Sequence, residues 1–415
     1  MIKVSPALKT ILKCIKPLDT EPIKLTDSLG RVLAQGIHAS CDIPGFDNSA
    51  MDGYAVLASD TKSANKKNPI VLEVIDDVRA GYVSKKILKN NQAIRIMTGA
   101  PIPKGANSVI MVEDTQKEVS GIRYQVSGRK RKREFVKIFR EVERGENIRR
   151  RGEDIKRQEL VILKGTLLNA AHIGILASLG EAKVKVARKP KVAILATGDE
   201  LVDIDKKLEP GKLRSSNTYT LYSQIINCGG IPKNLGIVRD NPKQLEARLK
   251  KGLGCDLILT SGGVSVGDYD LVKFILAKMG TNIKFWKVAM RPGKPLVFGT
   301  IKNIPVFGLP GNPVSSMISF EVFVRPAMLK MLGQNSDERK QVEAVLEEDI
   351  RKKKGLRYFL RAKTYGKDGV FLTRTSGPQG SAILKSMAQA NSLIILPEDK
   401  ELIKKGTRVT VRFLE

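Results

Sequence analysis

Apolar residues change their spacing repeatedly along this chain, and each change predicts a different element. Near the start, Ala7, Leu8, Ile11, Leu12 and Ile15 recur every three to four residues behind Ser5-Pro6. That spacing predicts a capped helix with one apolar stripe and proline in its first turn. From about 45 to 145 the periodicity drops to that of short strands, as in Ile70–Ile75, Ala93–Met97 and Ser108–Val112. The stretch from Lys117 to Arg151 is polar and densely basic, which predicts an exposed hairpin or a loop returning to another domain. Asn169 to Leu179 reads as a helix that stops at Gly180, where a left-handed cap is allowed.

From about 183 to 330 the pattern becomes short continuous apolar runs: Val192–Ala196, Asp256–Thr260 and Ile304–Gly308. The second and third each lead through a glycine-rich corner into a helical pattern, which predicts a mostly parallel sheet with helices on its faces. Beyond about 331, alternation returns, as in Thr407–Phe413, and predicts a small terminal β domain. No internal repeat stands out. A chain of 415 residues exceeds what one core usually spans, so several domains are expected.

Composition then removes several classes of chemistry. No apolar run is long enough to cross a bilayer, and Met1–Pro6 lacks a signal-peptide pattern, so the cytoplasm is the expected compartment. Cys14, Cys41, Cys228 and Cys255 are scattered with no C-x-x-C pair, which predicts reduced, mostly buried thiols rather than a zinc site. Only two histidines exist; His172 is assigned a packing role in its helix and His38 lies in an apparent strand. Catalysis must therefore use carboxylates, Lys/Arg, hydroxyls or a bound cation.

The net charge of +29, from 72 basic and 43 acidic residues, would attract nucleic acid or small anions. The basic runs Arg129–Arg133, Arg149–Arg151 and Arg351–Lys354 lack interleaved aromatics, which argues against nucleic-acid binding and for a solvated basic surface.

Chemistry is expected where the strands of the parallel sheet end, because backbone N–H groups and helix dipoles favour anions there. Three corners fall at that edge: Thr197-Gly198-Asp199-Glu200-Leu201, Thr260 to Asp270, and Gly308 to Ser316. The second contains Ser261, Gly262, Gly263, Ser265, Asp268 and Asp270; the third contains Pro310, Gly311, Asn312, Pro313 and Ser315. Neither is a P-loop or a dinucleotide fingerprint. Carboxylates beside phosphate-cradling corners repel the ligand unless a divalent cation intervenes, so Glu200, Asp268 and Asp270 point to Mg²⁺ and phosphoanhydride chemistry. For a single acid, helix capping is the plainer role. Trp286 to Pro295 packs Lys287, Arg291 and Lys294 into eight residues locked by two prolines and a glycine, a rigid arrangement suited to an oxyanion. In the front half, Asp42–Ala55 and Arg95–Pro101 read as binding loops without naming a ligand.

Together these stretches resemble the molybdopterin molybdenumtransferases, the family of MoeA and the E domain of gephyrin. The resemblance rests on Phe46–Ala55, Arg95–Pro101, Arg151–Ile155, Thr197–Leu201, Ser261–Gly267, Pro292–Pro295 and Gly308–Ser315, in the family's order over nearly the whole chain. It implies a multidomain protein of α/β and β parts: a linking domain of 1–44 with 146–182, an inserted β lid of 45–145, an α/β molybdopterin-binding domain of 183–330, and a C-terminal β-barrel of 331–415. It implies a homodimer, with the site between the α/β domain of one subunit and the lid of the other. The substrates it implies are adenylylated molybdopterin and molybdate, with Mg²⁺ as cofactor, release of AMP as product, and other cofactor-biosynthesis proteins as partners.

Family positions fall on Asp52 and Thr98 in the lid and on Glu200, Asp240, Asp270 and Lys287 in the α/β domain as catalytic residues. Glu200 and Asp270 would hold the metal. Thr197, Gly198, Asp199, Ser261, Gly262, Gly263, Ser265, Asp268, Arg291, Lys294, Pro310, Gly311, Asn312, Pro313, Ser315 and Ser381 would bind substrate. Arg291 stands where the family commonly has lysine, keeping the charge but replacing a point charge with a planar fork. Gly380-Ser381 and Ser386 resemble the family's late loop. A pterin adenylyltransferase of the same pathway and an inactive scaffold are the alternatives.

Overall fold

The computed structural model describes every residue except 127–128, 240, 264–270, 335–338 and 415, and only the backbone of 119–126 and 129–132. Two compact units emerge: Gly36–Leu163 with Gly174–Glu181, and Met1–Gln35 with Lys164–Ile173 and Ala182–Glu415. The opening helix, α1 (Val4–Cys14), buries Val4, Ala7 and Ile11 on its apolar stripe as expected. Its start differs from the sequence reading. Extended Lys3 occupies the cap position without a side-chain bond, so Ser5 lies in the first turn and instead meets a guanidinium nitrogen of Arg357 at 3.4 Å.

The first unit is built on a six-stranded sheet of β1 (Gly53–Val56), β2 (Ile70–Val78), β3 (Gln92–Ile96), β4 (Ser108–Met111), β5 (Thr115–Val126) and β6 (Arg129–Ile138), in the order β4-β1-β3-β2-β6-β5. The basic stretch after Lys117 is therefore the β5–β6 hairpin, paired antiparallel from Thr115↔Ile138 to Val126↔Arg129. Tyr54, Leu72, Ala93, Ile110, Val136 and Ile138 form the core on one side of this sheet.

Helix α2 (Ala170–Ser178) ends as read: Gly180 takes φ +81° and the Glu181 amide returns to the Leu176 carbonyl. His172 does not have the packing role that its helical setting predicts. Its Nδ1 accepts from the Asn169 amide at 3.1 Å while Asn169 Oδ1 accepts from the His172 amide at 3.1 Å. His172 is thus half of a reciprocal cap at the helix start, and Leu176 supplies the buried contact. His38 does lie in a short strand.

In the second unit, β7 (Lys191–Thr197), β8 (Ile231–Val238), β9 (Leu257–Ser261), β10 (Asn282–Lys287), β12 (Pro295–Ile301) and β13 (Ile304–Leu309) form a sheet ordered β8-β7-β9-β13-β12-β10. The first four run parallel; β12 is antiparallel to both neighbours. Alternate residues serve opposite faces. Val192 and Ile194 of β7 join the cluster under α3 (Ser216–Asn227), whereas Ala193 and Leu195 join the one under α4 (Pro242–Gly252) and α5 (Leu271–Lys278). Burial on both faces explains why these strands read as unbroken apolar runs. After β13 the chain enters α6 (Pro313–Ser319), passes a π-helical turn at Phe320–Val324, and continues as α7 (Arg325–Met331).

The terminal β domain is closed. Strands β14 (Gln341–Leu346), β15 (Arg357–Lys367), β16 (Val370–Thr375), β17 (Ser392–Leu396) and β18 (Arg408–Phe413) pair as β15-β16-β14-β18-β17, and β17 returns to β15. Closure leaves no free edge among these five strands over their paired lengths. A two-residue strand from the α/β part, β11 (Met290–Arg291), lies parallel to β15 with Arg291 opposite Tyr358.

Candidate functional site

The carboxyl ends of the parallel strands finish level. Thr197 is paired with Val238, Ala196 with Ser261, and Ser261 with Leu309. The corners then interlock: the Gly198 amide donates to the Val238 carbonyl at 3.2 Å, and the Gly262 amide to the Leu309 carbonyl at 3.1 Å. Glycine is required at two of these positions. Gly262 has φ +89° and a Cβ there would strike the Thr197 carbonyl; Gly263 has φ +65° and a Cβ would lie 2.7 Å from Thr197 Oγ1. Gly311 in turn sits against the Cα of Gly262, 3.7 Å from the place its own Cβ would take. The three corners expected at one edge therefore meet in contact.

Within the first corner, Glu200 is exposed and curls its carboxylate back over Gly198, whose Cβ would be 2.5 Å from Oε2. Asp199 is not a helix cap, since the chain goes on from it into an extended segment at Leu201–Val202 that pairs with Leu213–Arg214. Its carbonyl accepts from Lys212 Nζ at 2.9 Å. Thr197 is 3% exposed and, among the described residues, its hydroxyl has no hydrogen-bond partner. Such an atom is rare in a folded interior and marks a place where a ligand group can complete the bonding.

In the third corner, Asn312 precedes α6 without a side-chain capping bond, Gly311 and Asn312 are exposed, and Ser315 is buried. The Val314 amide donates to the carbonyl of Ser381 at 3.0 Å, which brings the late loop of the barrel onto this corner. That loop is organised by Arg361, a fully buried guanidinium on β15. Its nitrogens donate to the carbonyls of Pro378 at 2.7 Å and Gly380 at 3.0 Å and to Ser386 Oγ at 3.1 Å. Sequence reasoning passed over Arg361; the available signal was a charged residue on the inward side of an apolar strand.

The basic segment is a tight turn: the Val288 amide donates to the Lys294 carbonyl at 2.9 Å. Gly293, at φ +98°, lies against α6, where a Cβ would come within 2.6 Å of Ser319 Oγ. Lys287 is half-buried at the end of β10, and Arg291 and Lys294 are exposed. Arg291 stands 5.8 Å from the ring centre of Tyr358, which Lys352 approaches at 5.0 Å. These groups line a cavity of about 830 Å³ shared with Pro292, Gln379 and Gly380. Burial holds the Lys352 ammonium below its ordinary pKa. Ser265, Asp268, Asp270 and Asp240 lie outside the described residues. Among the described residues no three His, Cys, Asp or Glu side chains gather as a metal cluster.

In the other unit, two further predicted residues do meet. Asp52 Oδ1 accepts from both the amide and the hydroxyl of Thr98, at 2.7 and 2.9 Å. These bonds, with the positive charge of Arg95, hold the Asp52 carboxyl below its ordinary pKa. The neighbouring arginine run is not simply solvated. Arg150 pairs with Asp47 at 2.7 Å and Arg151 with Asp42 at 2.6 Å, tying Asp42–Asp47 to the strand of Ile148–Arg149.

Comparison with known proteins gives a consistent result over the whole length. Residues 2–180 match the family described as MoeA N-terminal region (domain I and II), 193–330 the "Probable molybdopterin binding domain", and 343–414 the MoeA C-terminal region (domain IV). The chain is 39% identical to the molybdopterin molybdenumtransferase of Bacillus subtilis, over 99% of this chain and 93% of that one. It is 35% identical to that of Haemophilus influenzae, over 95% and 94%. A crystal structure of the molybdopterin biosynthesis moeA protein from Pyrococcus horikoshii OT3 aligns over 100% of both chains, with a TM-score of 0.82 and 34% identity.

Proposed function

This chain belongs to the molybdopterin molybdenumtransferase family, and we propose from that premise that it inserts molybdate into adenylylated molybdopterin and releases AMP. Its role is that of a molybdenum insertase in molybdenum cofactor biosynthesis. The observation that carries the finer reading is the interlocked edge of Thr197, Gly262, Gly263 and Gly311, where close backbone approach and a hydroxyl without a partner among the described residues suit a phosphoanhydride.

Magnesium takes hard oxygen ligands and is commonly held by one or two carboxylates together with substrate phosphates. An exposed Glu200 carboxylate following the Thr197-Gly198 turn, with no closed acidic cluster among the described residues, fits an ion shared with substrate. Glu200 would hold it together with Asp270, and the ion would neutralise charge developing on the anhydride.

In this reading the corners bind the pyrophosphate and the turn of Lys287, Arg291 and Lys294 holds molybdate near the dithiolene. Water cleaves the anhydride to give AMP and the pterin phosphate. The two thiol sulfurs bind molybdenum and one oxide of molybdate leaves as water with their two protons, with no change in the oxidation state of the metal. Asp52 and Thr98 supply the lid, from the second subunit of a homodimer. The domain limits of 45–145, 183–330 and 331–415 divide these tasks, and the reaction runs in the cytoplasm.

The test mixes purified protein with adenylylated molybdopterin, Mg²⁺ and molybdate, following AMP and pterin-bound molybdenum together. Both should form, and neither should form without molybdate or Mg²⁺. A requirement for ATP would indicate the adenylyltransferase instead; pterin binding without either product would indicate a scaffold.

A further inference from the structure

The second and third corners are fastened by a side chain that neither the motifs nor the resemblance picks out. Asn217, in the first turn of α3, is 8% exposed. Its Nδ2 donates to Ser261 Oγ at 2.7 Å and to the Gly311 carbonyl at 2.7 Å, using both amide hydrogens. We propose that Asn217 is a positioning residue for substrate, acting through Ser261 and the Gly311–Asn312 peptide.

The geometry gives each partner a defined consequence. A trans peptide points its N–H opposite its C=O. With the Gly311 carbonyl turned in toward Asn217, the Asn312 N–H is directed the other way, and both of those residues are on the accessible side of the corner. Ser261 Oγ accepts from Asn217 and so keeps its own proton to donate. One buried amide thereby aims a backbone donor and a hydroxyl donor at the edge where an anion binds.

A purely structural role explains the same residue less well. Among the described residues neither the buried Oδ1 of Asn217 nor Thr197 Oγ1 in the adjoining corner has a hydrogen-bond partner. An amide retained for stability alone would satisfy both of its halves, since a buried unpaired acceptor is destabilising. The orphaned oxygen is what remains when the amide orientation is dictated by the two donors it must set.

This inference rests on the insertase reading, and the experiment separates the two. Asn217→Ala and the isosteric Asn217→Asp would be compared with wild type for thermal stability, for AMP affinity by calorimetry, and for KM and kcat in molybdenum insertion. Both variants should weaken AMP binding and raise KM for adenylylated molybdopterin about tenfold or more, with kcat changed much less. If both keep wild-type AMP affinity and KM while melting earlier, Asn217 is structural and the proposal fails. If wild type binds AMP but inserts no molybdenum, the insertase reading fails, and the AMP affinities alone decide the role of Asn217.

Discussion

Thr98 holds Asp52 twice, donating to one carboxylate oxygen through both its amide and its hydroxyl. The arrangement fixes an exposed acid without burying it. Thr98→Val keeps the shape and the amide bond and removes the hydroxyl bond. The Asp52 pKa, now held low, should rise in the variant while staying below its ordinary value, as read by carboxyl NMR titration. A depressed folded-state pKa means stability that is present above the unfolded pKa and lost as pH falls through the folded one. That acid-side loss should therefore be smaller in Thr98→Val and complete at a higher pH. Identical titration curves would show that the hydroxyl contributes nothing.

Glu200→Ala should slow AMP release by roughly 10²-fold or more, the scale expected when a group acting on the reacting anhydride is removed. Normal turnover in that variant would remove Glu200 from the chemistry. Gly198→Ala tests the same carboxylate from behind. At φ +146° a Cβ is strained and would sit 2.5 Å from Glu200 Oε2, so the carboxylate must move. Activity should fall in the same direction, with a lowered melting temperature that Glu200→Ala need not show.

Arg188 grips Asp256 with two nitrogens, each at 2.8 Å, and the Lys191 amide adds a third bond at 2.7 Å. Burial pushes the Asp256 carboxyl up, but these partners outweigh it and the group sits below its ordinary value. Asp256→Asn should lower unfolding free energy at neutral pH by about 1–2 kcal/mol, allowing for the partial exposure of Arg188. Urea unfolding at a series of pH values should show the gap closing as pH falls through the depressed pKa. A constant gap would assign the effect to packing.

Thiol labelling should separate the cysteines. Cys41 is exposed, Cys14 partly so, and Cys228 and Cys255 are buried. Desolvation pushes Cys228 to about 11 despite a guanidinium nitrogen of Arg325 at 3.5 Å. At pH 8 a small alkylating reagent should modify Cys41 first and leave Cys228 until the protein is unfolded. Early modification of Cys228 in the folded protein would contradict that burial.

The elements were legible where a local pattern reports a global environment. Apolar runs such as Leu257–Thr260 announced strands buried on both faces, and the glycines after them announced corners that a Cβ would obstruct. What escaped was long-range. Asn217 lies in an unremarkable polar helix start, 44 residues from Ser261 and 94 from Gly311, and nothing local reveals its partners. Arg361 reads as an interruption in a strand until the loop carrying Gly380 folds over it. The capping role of His172 escapes for the opposite reason: its partner is only three residues away, and helical periodicity masks the capping chemistry of Asn169.

The two-residue strand β11 has a consequence for how this protein can be cut. Met290 and Arg291 are covalently part of the α/β domain yet hydrogen-bonded to the barrel through Arg357 and Tyr358. A fragment ending before β15 would keep the whole parallel sheet but lose the template that shapes its cationic turn. The boundary between the two domains is thus a seam in sequence and a splice in space, and exchanging barrels between relatives would also exchange the strand against which the cationic turn is set.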